Sequence, residues 1–364
     1  MKNAVVGVGR LGLPLLLNFE RFSDGEWVGY DINSDYISQL NSKNFSSFEP
    51  GVNDLLKTAS CSFTDKIDDI LDAEIVFLCV RTNSVETGQY DVQNIFDFIE
   101  RLEKRLVQRT SSIEWLVVNC NVNPGTSMRV LNILEKYGIN VCFWPEWVKQ
   151  GSVVADQMFP AVHVLGFPNG TGDKEKLLNV IAQIDQNVTK APTCEMSLFE
   201  AELTKITLNC FLTVKISYAN MIGHLAERLG LNADRILSAV GLDPRIGSLF
   251  FKPGAPYGGP CFPRDTKALI AFGELFGVKL PLVEAAEQVN AEMVKSEKIR
   301  LFSSSHASNR VFFEHLDFKK GTNIFSGSPN LLLAQFLNEL GVEIELACEF
   351  KDQENLVYDK RPLN

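Results

Sequence analysis

The sequence predicts an α/β protein whose N-terminal part is a doubly wound parallel sheet. Short apolar runs alternate with segments of helical periodicity through the first half of the chain, which is the pattern of β-α-β units. The run 73–80 (AEIVFLCV) is continuously apolar, as expected for a strand covered on both faces. The pattern changes beyond about residue 195, where apolar side chains repeat at the helical period over 197–230.

The elements of the N-terminal part follow in order. Strands are predicted at 2–8, 27–31, 73–80, 113–119 and 141–144. Helices are predicted between them at 12–21, 35–41, 93–108 and 127–137. Pro14 is tolerated because it lies in the first turn of the first helix. The segment 197–230 predicts one long helix, broken at most once, of a length typical of spacers and dimer-forming helices.

The C-terminal part predicts a Pro/Gly-rich loop, two helices and a second, short β-α-β unit. The loop covers 253–265 (PGAPYGGPCFPRD), and the helices cover 265–277 and 281–303. The short unit consists of a strand at 310–313, a helix at 329–340 and a strand at 343–347, and a polar tail follows it.

Composition and charge restrict the function classes. The chain has 364 residues, 45% hydrophobic and 22% charged, an ordinary globular composition that suggests two or three domains. Lysines and arginines number 35 against 45 aspartates and glutamates, and the net charge of −10 argues against nucleic acid as a partner. No run approaches the roughly 20 apolar residues of a membrane helix, so a cytoplasmic protein is expected. The eight cysteines form no C-x-x-C pair, and no Cys/His spacing predicts a metal site.

A G-x-G-x-x-G motif between the first strand and the first helix is the main binding signal. Gly7 permits the tight turn, Gly9 lets a pyrophosphate approach the backbone, and Gly12 lets the helix pack closely on the sheet. Asp31 lies 19 residues beyond Gly12, where a carboxylate accepts from a ribose 2′-hydroxyl and repels a 2′-phosphate. The motif therefore predicts NAD rather than NADP, and the alternative is a glycine-rich turn without a ligand.

Cys261 is the predicted nucleophile. It lies in the sequence G-G-P-C-F-P-R-D, where glycines allow a ligand to approach closely and prolines stiffen the loop. Arg264 and Asp265 follow within four residues, and a nearby cation favours the thiolate, which is the nucleophilic form. The alternative interpretation is a buried structural cysteine.

Three further polar residues are candidates for the chemistry. Lys205 and Asn209 are one turn apart on the predicted long helix and share one face, although the same spacing fits a solvated face. Glu146 follows a strand at the carboxyl-terminal edge of the sheet, where ligands bind in open α/β folds. The alternative for a lone glutamate in a loop is an ordinary surface position.

Seven stretches together resemble the UDP-glucose/GDP-mannose dehydrogenase family. They are GVGRLGLP (7–14), FLCVRTNS (77–84), NPGTS (123–127), WPEWVKQGS (144–152), EAELTKITLNCFLTVKISYANMI (200–222), GLDPRIG (241–247) and YGGPCFPRDTKALI (257–270). The resemblance spans residues 1 to about 348, and the Y-G-G-x-C-F-P variant favours the UDP-glucose branch of the family.

The resemblance implies two Rossmann-like domains joined by the long helix, which also builds a homodimer. The expected divisions are an NAD-binding domain at 1–194, a central helical and dimerisation domain with the cysteine loop at 195–300, and a shortened C-terminal UDP-binding-like domain at 301–364. Relatives continue for several more strands and helices that complete the cover of the uridine.

By resemblance, the expected reaction is the NAD-dependent four-electron oxidation of the C6 alcohol of UDP-glucose to UDP-glucuronate. The alcohol becomes an aldehyde, the thiol of Cys261 adds to it as a thiohemiacetal, and a second oxidation gives a thioester that water hydrolyses. The other expected catalytic residues are an oxyanion-stabilising pair, Lys205 and Asn209, and three that position or activate water, Asp265, Glu146 and Asn121.

The resemblance also assigns binding roles. Contacts to NAD are expected from Gly7, Gly9, Arg10, Leu11, Gly12, Asp31, Thr82 and Arg264. Contacts to the UDP-sugar substrate are expected from Trp147, Val148, Gln150, Arg245, Phe250, Lys252, Tyr257, Gly258 and Lys319. Of these, Arg245 is expected to reach the active site of the neighbouring subunit.

The chain departs from the family pattern near the expected site. Asn121 stands where relatives have a threonine that orients water, and Gln150 replaces a carboxylate, keeping an acceptor without the charge. Arg81 is new beside the cofactor, and Ser326 replaces an arginine. Two alternatives therefore stay open: the same chemistry on another nucleotide sugar, and a sugar-nucleotide-binding homologue of weak catalytic power. A two-electron hydroxyacid dehydrogenase would leave Cys261 without a role.

Overall fold

The structure, a computed structural model, describes residues 1–305, 309–353 and 355–358, without the side chains of 303–305. The last six residues of the predicted polar tail, 359–364, lie outside the described residues. The chain divides into two compact units, Met1–Glu86 with Tyr90–Lys205, and Thr87–Gln89 with Ile206–Asn364. The finer division into three domains stays a prediction. Every helix within the described ranges is too short or too polar to span a bilayer.

The apolar runs of the sequence form the strands of a mostly parallel sheet. In chain order the strands are β1 (Lys2–Val6), β2 (Glu26–Tyr30), β3 (Ser62–Thr64), β4 (Ile75–Leu78), β5 (Asn83–Ser84), β6 (Tyr90–Asp91), β7 (Trp115–Val118), β8 (Asn140–Phe143), β9 (His163–Phe167), β10 (Thr193–Ser197), β11 (Arg310–Phe313) and β12 (Glu343–Leu346). Eight of them form one sheet in the order β10-β9-β8-β7-β4-β1-β2-β3, in which only β8 and β9 pair antiparallel among the described strands. The predicted α/β fold class is confirmed.

The helices connect these strands and make up most of the second unit. In chain order they are α1 (Gly12–Phe22), α2 (Ser34–Asn41), α3 (Val52–Thr58), α4 (Gln93–Leu106), α5 (Thr126–Leu134), α6 (Val153–Met158), α7 (Glu175–Ile184), α8 (Leu198–Arg228), α9 (Ala233–Gly241), α10 (Phe262–Leu275), α11 (Pro281–Ser305), α12 (Pro329–Glu339) and α13 (Asn355–Tyr358). The long helix predicted over 197–230 is α8, which continues without a break for 31 residues.

Strand periodicity divides the core of the large sheet into two apolar layers. Successive side chains of a strand point to opposite faces, so Val76 and Leu78 of β4 join one buried cluster while Ile75 and Phe77 join the other. These four side chains have no exposed surface. Both faces of the sheet are therefore covered, as the continuous apolar run at this position predicts.

The C-terminal β-α-β motif, which lies in the second unit, has the predicted elements. Strands β11 and β12 pair in parallel, and α12 connects them over a small apolar cluster of its own. Ser328 precedes α12 as its N-cap, accepting from the amide of Leu331 and donating to the carbonyl of Leu316. This polar bridge ties the start of α12 to the segment that follows β11.

Two sequence predictions need correction. The loop predicted at 253–265 ends at Cys261, because α10 begins at Phe262 and its first turn accommodates Pro263. The sequence also predicts no strand at β3, β5, β6, β9 or β10. The chain TCEMS of β10 is largely exposed, and it therefore carries no apolar alternation from which a strand is recognised.

A buried carboxylate on α8 fixes the start of α5. The side chain of Glu202 accepts from the backbone amides of Gly125, at 2.5 Å, and Ser127, at 2.7 Å, and it has no exposed surface. These amides belong to the first turn of α5, whose donors have no partner inside the helix. The negative charge also lies at the positive end of the helix dipole.

We expect Glu202→Ala to lower the stability of the first unit by about 2–4 kcal/mol, because two buried amides lose their acceptor. Thermal unfolding followed by circular dichroism measures the effect. Glu227→Ala, at an exposed position of the same helix, is the matched control and should change stability by less than about 0.5 kcal/mol. Equal losses in the two variants would show that the cap contributes little.

Candidate active site

The glycine loop of the first unit has the geometry of a dinucleotide cradle. Gly7 has φ of +83°, a conformation that favours glycine, and its amide donates to the carbonyl of Tyr30 at 2.8 Å. A Cβ on Gly12 would overlap the Gly7 carbonyl oxygen, whereas a Cβ on Gly9 would meet no described atom within 4 Å. The loop is therefore closed on the sheet side and open at Gly9.

The residues present fit NAD. Leu11 is the N-cap of α1 and, within the described chain, supplies no side-chain acceptor to that helix, and the Leu13 amide donates to the carbonyl of Gly9 at 3.0 Å. The positive end of the helix dipole at this loop favours an anion. Asp31 follows β2 and is half-buried, with one carboxylate oxygen accepting from the amide of Asn33 at 3.1 Å. Thr82 is buried and donates to the carbonyl of Asn121 at 2.8 Å, while Arg10 is exposed.

A second group in the same unit surrounds Glu146, which follows β8. The Lys205 ammonium donates to the backbone carbonyl of Glu146 at 2.5 Å and lies 4.6 Å from the centre of the Trp147 ring. Burial raises the pKa of the Glu146 carboxyl to about 7, although a hydrogen bond from Gln157 and the charge of Lys205 favour its ionised form. A carboxyl of this kind exchanges a proton near neutral pH. Val148 and Gln150, on the same loop as Trp147, are half-buried.

The second unit presents Cys261 at the start of α10. The cysteine is exposed, and its carbonyl accepts from the amide of Asp265 at 2.8 Å. Asp265 itself is fully buried; one oxygen accepts from Asn209 at 2.6 Å and the other from Arg264 at 3.2 Å. The positive end of a 14-residue helix and a nearby arginine both favour the thiolate form of a cysteine.

The loop before Cys261 is held by the C-terminal part of the same unit. The amide of Gly259 donates to the carbonyl of Gly327 at 2.9 Å, and a Cβ on Gly259 would lie 2.7 Å from the Phe318 ring. A Cβ on Gly258 would overlap the Gly327 carbonyl oxygen. The glycines predicted to admit a ligand are thus required by the segment 318–327, which contains the exposed Lys319.

The other predicted substrate residues differ in exposure. Tyr257 is buried, and its hydroxyl donates to Glu287 at 2.6 Å, so the structure uses it to anchor the loop to α11. Arg245 is 86% exposed at its side chain and pairs with Asp243 at 2.6 Å. Phe250 and Lys252 are exposed as well. Their roles toward a substrate stay predictions.

Burial decides two of the alternatives that the sequence leaves open. Lys205 and Asn209 are buried, at 7% and 9% exposure, so they do not form a solvated face. Cys261 is exposed, which excludes a buried structural cysteine. Sequence reasoning missed Gln157, which donates to both oxygens of Glu146, because nothing in its local pattern marks it. Among the described residues, no group of three or more His, Cys, Asp or Glu side chains is placed to hold a metal ion.

A glycine loop of this geometry between a strand and a helix of a parallel sheet defines the first unit as a dinucleotide-binding domain. The family model for the NAD binding domain of the UDP-glucose/GDP-mannose dehydrogenase family matches residues 1–188, and the model for the central domain of that family matches 199–292. The chain therefore belongs to the UDP-glucose/GDP-mannose dehydrogenase family, and NAD is its cofactor.

Known relatives extend over most of the chain. It is 29% identical over 356 residues to a UDP-glucose 6-dehydrogenase of Bacillus subtilis, covering 94% of this chain and 75% of that protein. It is 28% identical over 336 residues to a GDP-mannose 6-dehydrogenase of Azotobacter vinelandii, covering 88% and 75% respectively. The solved structure of a UDP-glucose dehydrogenase from Pyrobaculum islandicum is similar with a TM-score of 0.84 at 29% identity, covering 95% of this chain and 81% of that one.

The glycine loop generates a prediction that separates binding from folding. Gly9→Val should weaken NAD binding by about tenfold or more with little change in thermal stability, because the new side chain enters open space that the pyrophosphate needs. Gly12→Ala should lower both NAD affinity and stability, the latter by about 1–3 kcal/mol, because its Cβ overlaps the backbone. Calorimetric titration and thermal unfolding measure the two effects, and equal stability losses would contradict the assignment.

Proposed function

We propose that the chain oxidises the C6 alcohol of UDP-glucose to the carboxylate of UDP-glucuronate through a covalent intermediate on Cys261. The balanced reaction consumes one alcohol, one water and two NAD⁺, and it yields one carboxylate, two NADH and three protons. The observation that carries the proposal is an exposed thiol at a helix N-terminus, next to a buried and fully paired aspartate. NAD, when bound, accepts a hydride in each of the two oxidations.

Cys261 makes the second oxidation possible. Its thiolate adds to the C6 aldehyde, so a C–S bond forms and the carbonyl oxygen becomes a thiohemiacetal hydroxyl once protonated. Loss of a hydride from C6 and a proton from that hydroxyl gives the thioester. Water then forms the new C–O bond, the C–S bond breaks, and the thiolate is restored.

The charged and amide groups have separate tasks in this proposal. Lys205 and Asn209, as buried donors, stabilise negative charge on the substrate oxygen. Glu146 is the base for water, since its carboxyl has a pKa of about 7. Asn121 orients that water through its amide. Asp265, which accepts from Asn209 and Arg264, holds Asn209 in position, and its expected role toward water stays a prediction.

A second candidate is the same chemistry on a different nucleotide sugar. Identity to the GDP-mannose 6-dehydrogenase, at 28%, is nearly the same as identity to the UDP-glucose enzyme, at 29%. The Trp147 ring beside Lys205 also places a bulky side chain next to the predicted sugar pocket. A panel of UDP- and GDP-sugars, compared by kcat/KM, separates the two candidates.

A homodimer completes the proposal. Large apolar side chains are exposed along one stripe of α8, at Leu208, Phe211, Tyr218, Met221, Leu225 and Leu229. Their spacing of three to four residues, with one longer step, follows a helix face that a second copy of the chain would cover. Arg245, on the segment after α9, then reaches the sugar in the site of the other subunit.

The stoichiometry of NADH tests the reaction. With UDP-glucose limiting and NAD⁺ in excess, we expect two NADH per sugar, measured by absorbance at completion. Cys261→Ser should lower the rate by about three orders of magnitude or more, because serine is a poor nucleophile without a dedicated base.

The outcomes of this assay are distinct. One NADH per sugar would identify an enzyme that stops at the aldehyde, and the role of Cys261 would then be wrong. Cys348→Ser, at another exposed cysteine, is the matched control and should retain full activity. No NADH with any sugar of the panel, together with tight UDP-sugar binding, would indicate a binding homologue.

Mixed dimers test the role of Arg245. Arg245→Ala and Cys261→Ser should each be inactive alone. Their co-expression should restore about a quarter of wild-type activity, because about half of the dimers are mixed and one of their two sites has both residues intact. Steady-state rates of the tagged, purified mixture measure this. If Arg245 acts within its own subunit, the mixture stays inactive.

A further inference from the structure

The carboxylate of Glu146 is held by a buried chain of two amides. The Gln157 side-chain nitrogen, on α6, lies 2.8 Å and 3.0 Å from the two oxygens of Glu146. The Gln157 oxygen accepts from the Asn18 amide at 3.0 Å. Asn18 is fully buried on α1, the helix that begins at the dinucleotide loop, and Gln157 is buried as well.

Each side-chain amide hydrogen of Gln157 and Asn18 faces an acceptor. One hydrogen of Gln157 faces the carboxylate, and the other faces the carbonyl of Leu11 at 3.3 Å. One hydrogen of Asn18 goes to Gln157, and the other goes to the carbonyl of Val154 at 3.1 Å. If the Gln157 amide turned over, its oxygen would face the Glu146 oxygens and its nitrogen would face the Asn18 nitrogen. Both contacts would be repulsive, so Asn18 fixes which end of Gln157 meets the carboxylate.

We propose that Gln157 is the positioning residue that orients the Glu146 carboxylate and favours its ionised form, and that Asn18 sets the amide orientation this requires. The inference deepens the proposed function and rests on it where Glu146 is the base for water. A buried hydrogen bond to a carboxylate favours the charged form more than the neutral form. The contact to Leu11 joins this base to the dinucleotide loop.

The ionisable groups around Glu146 do not replace this donor. Lys205, from α8, favours the ionised carboxyl, but its ammonium bonds the backbone carbonyl. Burial keeps the pKa of the Cys79 thiol, after β4, well above its ordinary value, so the thiol is neutral. In the small cavity beside Glu146, burial lowers the pKa of His163, and Asp156 accepts from a backbone amide and a serine hydroxyl.

The pKa of Glu146 tests the proposal without any turnover. Difference infrared spectroscopy of the cofactor-free protein follows the carboxyl band with pH, and Glu146→Gln identifies the band. We expect Gln157→Leu to raise the pKa by about one unit or more, because the charged form loses a donor that the neutral form needs less. Gln157→Met, which is unbranched and of similar length, repeats the measurement if the leucine variant fails to fold.

Substitution of Asn18 tests the hydrogen bond between the two amides. Asn18→Leu does not touch Glu146, so any change in the carboxyl pKa must pass through Gln157. We expect a smaller upward shift than with Gln157→Leu, and no additional shift when both substitutions are combined. Additive shifts would overturn the role of Asn18.

Kinetics separate this inference from the proposed function. If the pKa of Glu146 is higher, the ionised base forms only at higher pH. The acid limb of the kcat–pH profile should therefore move to higher pH by the shift seen in the infrared titration. A structural defect would instead lower kcat by the same factor at every pH. An unchanged carboxyl band in Gln157→Leu overturns the positioning role. A shifted band with an unshifted kcat profile supports positioning and overturns Glu146 as the base.

Discussion

The long helix α8 depends on one constraint, that every polar side chain it buries must find a partner. Six buried polar residues follow each other at intervals of three or four along one stripe: Glu202, Lys205, Asn209, Thr213, Ser217 and Asn220. The first caps α5, the second bonds the loop after β8, and the third bonds the aspartate behind the cysteine loop. The last two bond the carbonyls of Ala286 and Ala255. Since an unpaired buried polar group costs about 1–3 kcal/mol, these hydrogen bonds fix the rotation of each part of the helix relative to the loops of its own unit.

The same constraint applies to Glu146 and Asp265, which have different hydrogen-bond partners. Asp265, in the second unit, accepts from the amide of Asn209 and from the guanidinium of Arg264. Among the described residues, the side-chain donor at the oxygens of Glu146, in the first unit, is the neutral amide of Gln157, and burial raises the pKa of this carboxyl to about 7. Hydrogen bonds from a guanidinium are stronger than those from a neutral amide, so the two carboxyl groups have different surroundings.

The sequence predicted the elements and site residues whose conformation depends on their neighbours along the chain. The glycine motif needs only one turn and the helix after it, so Gly7, Gly9 and Gly12 were recognisable without the rest of the chain. The apolar runs predicted β1, β4 and β7 because both faces of these strands are buried. Gln157 gave no signal, since its partners Asn18 and Glu146 lie 139 and 11 residues away and the contact exists only after folding. The exposed strand β10 was missed because its pairing comes from β9 and not from its own side chains.

The C-terminal β-α-β motif is small, but the loop before Cys261 packs against it. Glycine at 258 and 259 is required by close contact with Gly327 and Phe318, which belong to the segment between β11 and α12. On the other side of the loop, Tyr257 is fixed to α11 by its hydroxyl. The chain that leads to Cys261 is thus held at both sides, and the next residue starts a helix. Contacts on both sides restrict the backbone of this loop, so its conformational entropy is lost during folding. The C-terminal β-α-β motif therefore helps to fix the backbone position of Cys261.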